Sequence, residues 1–255
     1  MQATNYLMQA MLNVARGTNL VAPNAFYLGL FQSDPTVSGT TSSEISYTGY
    51  ARQVITFSST NQTNSGYITN SAQIDFPVVP RDTSQTVTHV GVMDAETGGN
   101  MWLFAQLADS VSLYDAVKIF FATSALKWTI SGIFTSDYRL NFLNFFKNGT
   151  TVTGFTPYLA LYNSTGTEKS SGGYARQQID MTLNTTGYNS ISNTYNVDFP
   201  VATGSWSTVA QSAIVDAASS GTKFAVFTLT NSFTVPAGSQ VRVNAGSISI
   251  TMQDA

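Results

Sequence analysis

The chain has 255 residues, of which only 10% are charged, and its formal net charge is −3. Such a composition carries no basic patch that would attract nucleic acid or an acidic membrane. It contains no cysteine, which excludes a disulfide framework, a thiolate zinc site and a thiol nucleophile. Its polarity comes from Ser, Thr, Asn and Gln among many Val, Ile, Phe and Tyr residues, a mixture typical of half-buried strands.

The chain opens with an amphipathic segment that predicts a helix. Leu7, Met11 and Val14 recur at helical spacing, Thr4 is the predicted N-cap, and Gly17 ends the helix. This segment lacks the basic and apolar regions of a secretory signal peptide, and no apolar run is long enough to cross a membrane. We therefore expect neither a signal peptide nor membrane insertion.

Short runs with strand character follow the helix, separated by Gly, Pro, Asn and Ser. We place these runs near 26–32, 50–58, 72–77, 86–94, 101–108, 117–122 and 126–131. Their number and spacing predict an antiparallel β-sandwich.

The second half of the chain repeats the first. "GYARQ" begins at Gly49 and again at Gly173, and "IDFPV" at 74–78 matches "VDFPV" at 197–201. A second helix is predicted from a cap at Ser136 or Asp137 to a stop at Gly149. The matching strand-like runs lie near 157–163, 174–183, 194–200, 208–216, 223–230, 240–244 and 247–252.

The predicted fold class is therefore all-β with one short helix per repeat. We expect two tandem antiparallel β-sandwich domains of similar fold, residues 1–134 and 135–255, joined near Gly132 to Thr135. A link this short would not let the domains tumble independently.

The repeated pentapeptide supplies the main candidate residues, Tyr50 and Arg52 in the first copy. Strand alternation places Arg52 on the more polar face, near or under a loop, and places Asp75 away from the core. We predict that Arg52 pairs with Asp75 through a bidentate contact that braces the loop. The alternative is an arginine that grips a sugar or an acidic partner.

The second copy repeats these candidates. Tyr174 and Arg176 occupy the places of Tyr50 and Arg52, and the predicted partner of Arg176 is Asp198. A feature kept in both copies is more economically explained by the shared fold than by chemistry in one domain.

Two other groups contain residue types that could carry chemistry. His89 is the only histidine and aligns with Gln211, which favours a hydrogen-bonding strand residue over a general base. Asp94, Glu96 and Asn100 could hold calcium, but the second copy lacks the last two, which favours turn capping.

Carboxylates and aromatic residues leave further alternatives. A glycosidase pair could in principle come from Asp75, Asp94, Asp198 and Asp216, but these residues lie at equivalent strand positions in the two copies, which favours a structural role. Trp102, Trp206 and the Tyr-rich loops could stack on sugars, whereas tryptophan in a sandwich is more often part of the core. We predict no catalytic residue, no cofactor and no metal site.

Several segments resemble a known family. "FYLGLFQSDPT", "TGYARQVITF" and "TVTHVGVMDAETGG" in the first copy, with "SGGYARQ" and "NVDFPVATGSWSTV" in the second, are similar to tailed-bacteriophage tail or tail-fibre proteins of the Gp80-like type. The resemblance covers essentially the whole chain, and the duplication departs from the usual single-domain form.

The resemblance implies a non-enzymatic virion component, assembled in the host cytoplasm. Its expected partners are other virion proteins of the tail, baseplate, neck or capsid, in a homo-oligomer or symmetric ring. We expect a structural or adaptor subunit. The alternatives are a receptor-binding module for a host surface glycan and a capsid or neck decoration protein.

Overall fold

The structure is a computed structural model. It describes residues 1–60, 66–81, 83–114, 116–130, 133–184 and 189–252. Positions 131 and 132, in the predicted link between the repeats, lie outside the described residues. The residues up to 134 are called the first repeat below, and those from 135 the second repeat.

The described part of the first repeat contains one helix and ten strands, all paired antiparallel. In chain order they are β1 (Gln2–Ala3), α1 (Asn5–Val14), β2 (Phe26–Phe31), β3 (Gln53–Ile55), β4 (Phe57–Thr60), β5 (Gly66–Asn70), β6 (Ile74–Asp75), β7 (Gln85–Met93), β8 (Met101–Leu113), β9 (Phe120–Phe121) and β10 (Lys127–Ile130).

The second repeat follows the same order, without a counterpart of β1 as a named strand. Its elements are α2 (Ser136–Asn148), β11 (Tyr158–Tyr162), β12 (Gln177–Gln178), β13 (Met181–Leu183), β14 (Ser190–Asn193), β15 (Val197–Asp198), β16 (Thr208–Val215), β17 (Lys223–Thr234), β18 (Arg242–Val243) and β19 (Ser249–Thr251). The bridge between Phe134 and Ala225 takes the place of the β1–β8 pairing.

Apart from β1, the described strands of the two repeats correspond one to one in their sheets. The main sheet runs β1-β8-β7-β2-β3 in the first repeat and β12-β11-β16-β17 in the second. The small sheet runs β10-β5-β4 and β13-β14-β19, and a two-stranded sheet joins β6 to β9 and β15 to β18. The predicted fold class is confirmed: the chain is mostly β and antiparallel, with one helix in each repeat.

The helix ends follow from capping. The Thr4 side chain accepts from the backbone N–H of Leu7, which confirms the predicted N-cap of α1. The cap of α2 is Thr135, one residue before the predicted Ser136 and two before Asp137, because Thr135 still has extended backbone angles. Gly149 ends α2 in the left-handed conformation, as predicted.

Each helix packs on sheets from both repeats. Helix α1 lies against β8 of its own repeat and against β13 and β14 of the other. Helix α2 lies against β17 of its own repeat and against β4 and β5 of the other. The helices are therefore exchanged between the repeats, each covering the small sheet of its neighbour.

Aromatic side chains carry much of this exchange. Phe146 of α2 stacks on Phe26 at 5.1 Å and meets the edge of Trp128 at 5.2 Å, both in the first repeat. Tyr138 lies near the start of the same helix, and its ring centroid is 4.8 Å from that of Phe224 in its own repeat. These side chains belong to one continuous core that includes both repeats.

The repeats meet at equivalent residues. Leu20 and Val152 follow α1 and α2, and their backbones exchange two hydrogen bonds of 2.9 and 3.0 Å as an antiparallel bridge. A residue that pairs with its own counterpart marks an approximate two-fold axis. The chain is thus organised as an intramolecular dimer of two repeats.

Candidate functional site

A buried arginine lies under the hairpin loop between β7 and β8. The Arg52 side chain donates from Nε and Nη2 to the two oxygens of Glu44, each at 2.7 Å. Its Nη1 donates to the carbonyl oxygens of Ala95 and Gly98 at 2.7 and 2.6 Å. With only 7% of its surface exposed, Arg52 binds the loop to the edge of the main sheet.

Tyr50 completes this cluster. Its hydroxyl accepts from the backbone N–H of Leu30 at 3.0 Å and donates to Oε1 of Glu44 at 3.0 Å. The Glu44 carboxylate thus accepts from Arg52 and Tyr50 together. We call Glu44, Tyr50 and Arg52 the first brace.

The second repeat reproduces the brace. Arg176 donates to both oxygens of Glu168 at 2.7 and 2.6 Å, and to the carbonyls of Ala217 and Ser220. The Tyr174 hydroxyl accepts from the N–H of Leu161 and donates to Glu168. We call Glu168, Tyr174 and Arg176 the second brace.

The braces stabilise particular protonation states. The hydrogen bond with Glu44 raises the pKa of Arg52, and the bond with Glu168 raises the pKa of Arg176. Burial raises the pKa of the Tyr50 and Tyr174 hydroxyls. Both clusters therefore keep charged arginines and neutral tyrosines at neutral pH, which suits them to hold loops.

The predicted partners of the arginines are wrong. The Asp75 carboxylate forms a salt bridge with Nζ of Lys118 at 2.9 Å. The Asp198 carboxylate accepts from Nε and Nη2 of Arg242 at 2.6 and 2.8 Å. Both aspartates face away from the core, as predicted, but they do so on the short β6 and β15. Their side chains reach the neighbouring strand or loop, whereas the arginines point under the hairpin.

The prediction that Tyr50, Arg52, Tyr174 and Arg176 brace a loop agrees with this geometry. The residues that sequence reasoning missed are Glu44 and Glu168. A signal existed, because each lies eight residues before its arginine and the two are spaced by the same interval as the two "GYARQ" segments. Glu44 lies in the longer loop of the first repeat, which hid the correspondence.

Asp94 and Asp216 fix the same hairpin loops from the other side. Asp94 accepts from the backbone N–H of Asn100 at 2.7 Å and from Nε1 of Trp102 at 3.1 Å. Asp216 accepts from the N–H of Thr222 at 2.7 Å and from the hydroxyl of Tyr138 at 3.2 Å. The bonds from the backbone N–H groups of Asn100 and Thr222 cap the turns, the use of Asp94 that the sequence favoured over calcium binding.

The other candidates for chemistry are spread through the sheets. His89 lies on β7 and forms a 2.8 Å hydrogen bond through Nδ1 with the Thr88 hydroxyl. Trp102 and Trp206 are buried in the core, so neither forms an open sugar-stacking platform. Within the described ranges, His, Asp and Glu side chains do not gather in threes as a metal site would require.

Two clefts of equal size flank the approximate two-fold axis. The Tyr6 cleft has a volume of about 340 Å³ and lies between α1 and residues 18–21. The Tyr138 cleft, also about 340 Å³, lies between α2 and residues 150–155. Leu20 lines the first and Val152 the second, so the bridge between these residues separates the clefts.

The described helices are too short or too polar to span a bilayer. The chain matches the family model described as podophage GP4 fiber I protein gp80 over two segments, residues 2–129 and 135–251. Among curated proteins, none matches the chain. The family match supports a structural role in a phage tail fibre, as a component of the virion. The chain therefore belongs to this family of podophage fibre proteins and carries its sequence pattern twice.

Proposed function

We propose that the chain is a structural adaptor of the phage tail, which joins other virion proteins through protein–protein contacts and has no enzymatic activity. The observation that supports this role is the two-fold organisation. One chain carries the fold of the repeat twice, on a body whose helices are exchanged and whose core is shared. Such a body suits a bridge between two copies of one partner.

One exposed apolar residue recurs in both repeats. Val78 and Val201 directly follow the Phe-Pro pairs that come after β6 and β15, and they are 55% and 52% exposed. A single exposed valine is ordinary, but equivalent valines in two diverged repeats favour a contact that both repeats make. We propose that these positions bind tail, baseplate, neck or capsid subunits when the virion assembles in the host cytoplasm.

Cryo-EM of the intact particle tests this role. The proposal expects the chain at a junction between virion proteins, with both repeats in contact with neighbouring subunits. Density only at a distal tip would contradict it and favour the host receptor-binding alternative. Density scattered over the capsid surface would favour a decoration protein instead.

A binding experiment tests the proposed surface. The variants Val78→Asp and Val201→Asp should each weaken co-purification with the other tail proteins, and the double variant should abolish it. Val54→Asp is the matched control, because Val54 is also exposed but has Gln178 as its counterpart. Equal losses for all three valines would contradict the assignment of this surface.

A further inference from the structure

The Tyr6 cleft carries an exposed aromatic ring on a fixed support. Tyr6 is 42% exposed, and its ring meets Trp102 edge to face at 5.1 Å and 77°. Trp102 is itself held by its hydrogen bond to Asp94 and by a stacking contact of 5.2 Å with Phe145. Tyr6 is therefore partly exposed in the cleft on a support that is already ordered, so a ligand could pack against it without first fixing its neighbours.

Amide side chains lie beside this ring. Gln9 and Asn13 follow Tyr6 at helical spacing and line the same cleft. Asn13 Oδ1 accepts from Arg16, and Asn19 Oδ1 accepts from the N–H of Gly154 at 2.9 Å. With both oxygens occupied, Asn13 and Asn19 keep their amide N–H groups as donors toward a ligand.

The remaining chemistry of the cleft limits its ligand. In the described part of the chain, the side chains that line the cleft are uncharged, and the charged neighbours Arg16 and Asp94 already bind Asn13 and Trp102. The lining itself therefore favours a neutral ligand. Residues 18–21 are not a free sheet edge, because Leu20 already pairs with Val152. This pairing disfavours a peptide that would add as a strand.

The Tyr138 cleft differs at the deciding positions. Tyr138 is only 5% exposed, and its hydroxyl donates to the carboxylate of Asp216, which lines that cleft. Its ring is packed against Phe224 and Phe155. The second cleft thus has a carboxylate and a buried tyrosine, and its other aromatic lining residue is the partly buried Phe155, although its volume equals that of the first.

We propose that the Tyr6 cleft binds a neutral pyranose sugar of an oligosaccharide, at one site per chain. The apolar face of the sugar ring packs on Tyr6, and its hydroxyl oxygens accept from the amides of Gln9, Asn13 and Asn19. A cleft of this volume holds one or two sugar rings, at the small end of protein ligand sites. This site is independent of the proposed adaptor role and uses neither Val78 nor Val201.

The test is ligand-observed NMR with the full chain and a panel of neutral disaccharides and trisaccharides, half of them containing N-acetylated sugars. We expect saturation transfer from the protein to at least one member at millimolar concentration. Tyr6→Ala should weaken its binding about tenfold, and Tyr6→Phe should keep it. Gln9→Ala should also weaken binding, because it removes an amide donor to the sugar while the Tyr6 ring stays in place.

Asn141→Ala in the Tyr138 cleft is the matched control and should leave binding unchanged. A uronic acid disaccharide should bind no better than its neutral analogue. The proposal is overturned if no neutral saccharide binds, if Tyr6→Ala binds as well as the wild type, or if Asn141→Ala weakens binding as much as Gln9→Ala. Thermal unfolding of each variant verifies that the chain is folded.

Discussion

At the scale of single residues, the repeated pentapeptide is explained by two braces. Arg52 and Arg176 each satisfy a glutamate and two loop carbonyls. A guanidinium can do this because its donors lie in one rigid plane, whereas a lysine offers a single point charge. The arginine therefore holds the hairpin loop in the same place in both repeats.

Arg52→Ala should destabilise the chain strongly. The substitution leaves Glu44 without its ion pair and two loop carbonyls without donors, so the free energy of unfolding should fall by about 3 kcal/mol. Denaturant unfolding followed by circular dichroism measures this loss. Arg242→Ala is the control, because its pair with Asp198 is exposed to solvent and should contribute little. Similar unfolding midpoints for the two variants would contradict the brace.

The tyrosines of the braces predict a loss of stability in alkali. Burial raises the pKa of Tyr50 and Tyr174 above the ordinary value of about 10. As pH rises, the unfolded chain loses these phenolic protons first. The stabilisation is therefore complete below about pH 10 and is lost as pH rises through the folded-state pKa.

Unfolding curves at several alkaline pH values measure this effect. The double variant Tyr50→Phe with Tyr174→Phe should be less stable at neutral pH, and its stability should fall less steeply above about pH 10. Tyr195→Phe serves as the control, because Tyr195 is exposed. If the double variant kept the wild-type slope, the titration would belong to other groups.

At the scale of elements, most helices and strands were predictable from periodicity and from the repeat. The sequence pattern did not predict β5 in the first repeat or its counterpart β14 in the second. Each ends in a buried asparagine, Asn70 or Asn193, whose amide binds backbone groups of distant loops. Local patterns treat a polar residue in a short run as a loop, because the distant partners that bury it are invisible in the sequence.

The exchange of the helices was not predictable for a related reason. An apolar stripe shows that a helix has a buried face, but not which sheet covers that face. The rings that decide the matter, Phe145 and Phe146, both contact Phe26, which lies more than a hundred residues earlier in the chain. Local spacing contains no information about such contacts.

Phe146→Ala should destabilise the first repeat, although Phe146 belongs to the second. The ring is 5% exposed and packs against Phe26, Phe57 and Trp128. Its removal should cost about 3–5 kcal/mol. Hydrogen exchange should accelerate first in β4 and β5, whereas the exposed Lys147→Ala should change little. Faster exchange in β13 and β14 instead would contradict the helix exchange.

At the scale of the whole molecule, duplication has produced a dimer within one chain. The repeats share a core, pair through Leu20 and Val152, and cover each other's small sheets. Sequence comparison of the halves revealed the duplication but not this interlocking. The boundary near residue 134 therefore remains a prediction of where one sequence repeat ends. Each helix contacts strands on the other side of that boundary.

The interlocking predicts that the covalent link is dispensable once the chain is folded. A protease recognition sequence inserted between positions 131 and 132 allows the folded chain to be cut there. We expect both fragments to elute together in size-exclusion chromatography under native conditions, at the volume of the uncut chain. They should separate only in denaturant. Separation of the fragments without denaturant would contradict the claim that the two repeats form one helix-exchanged body.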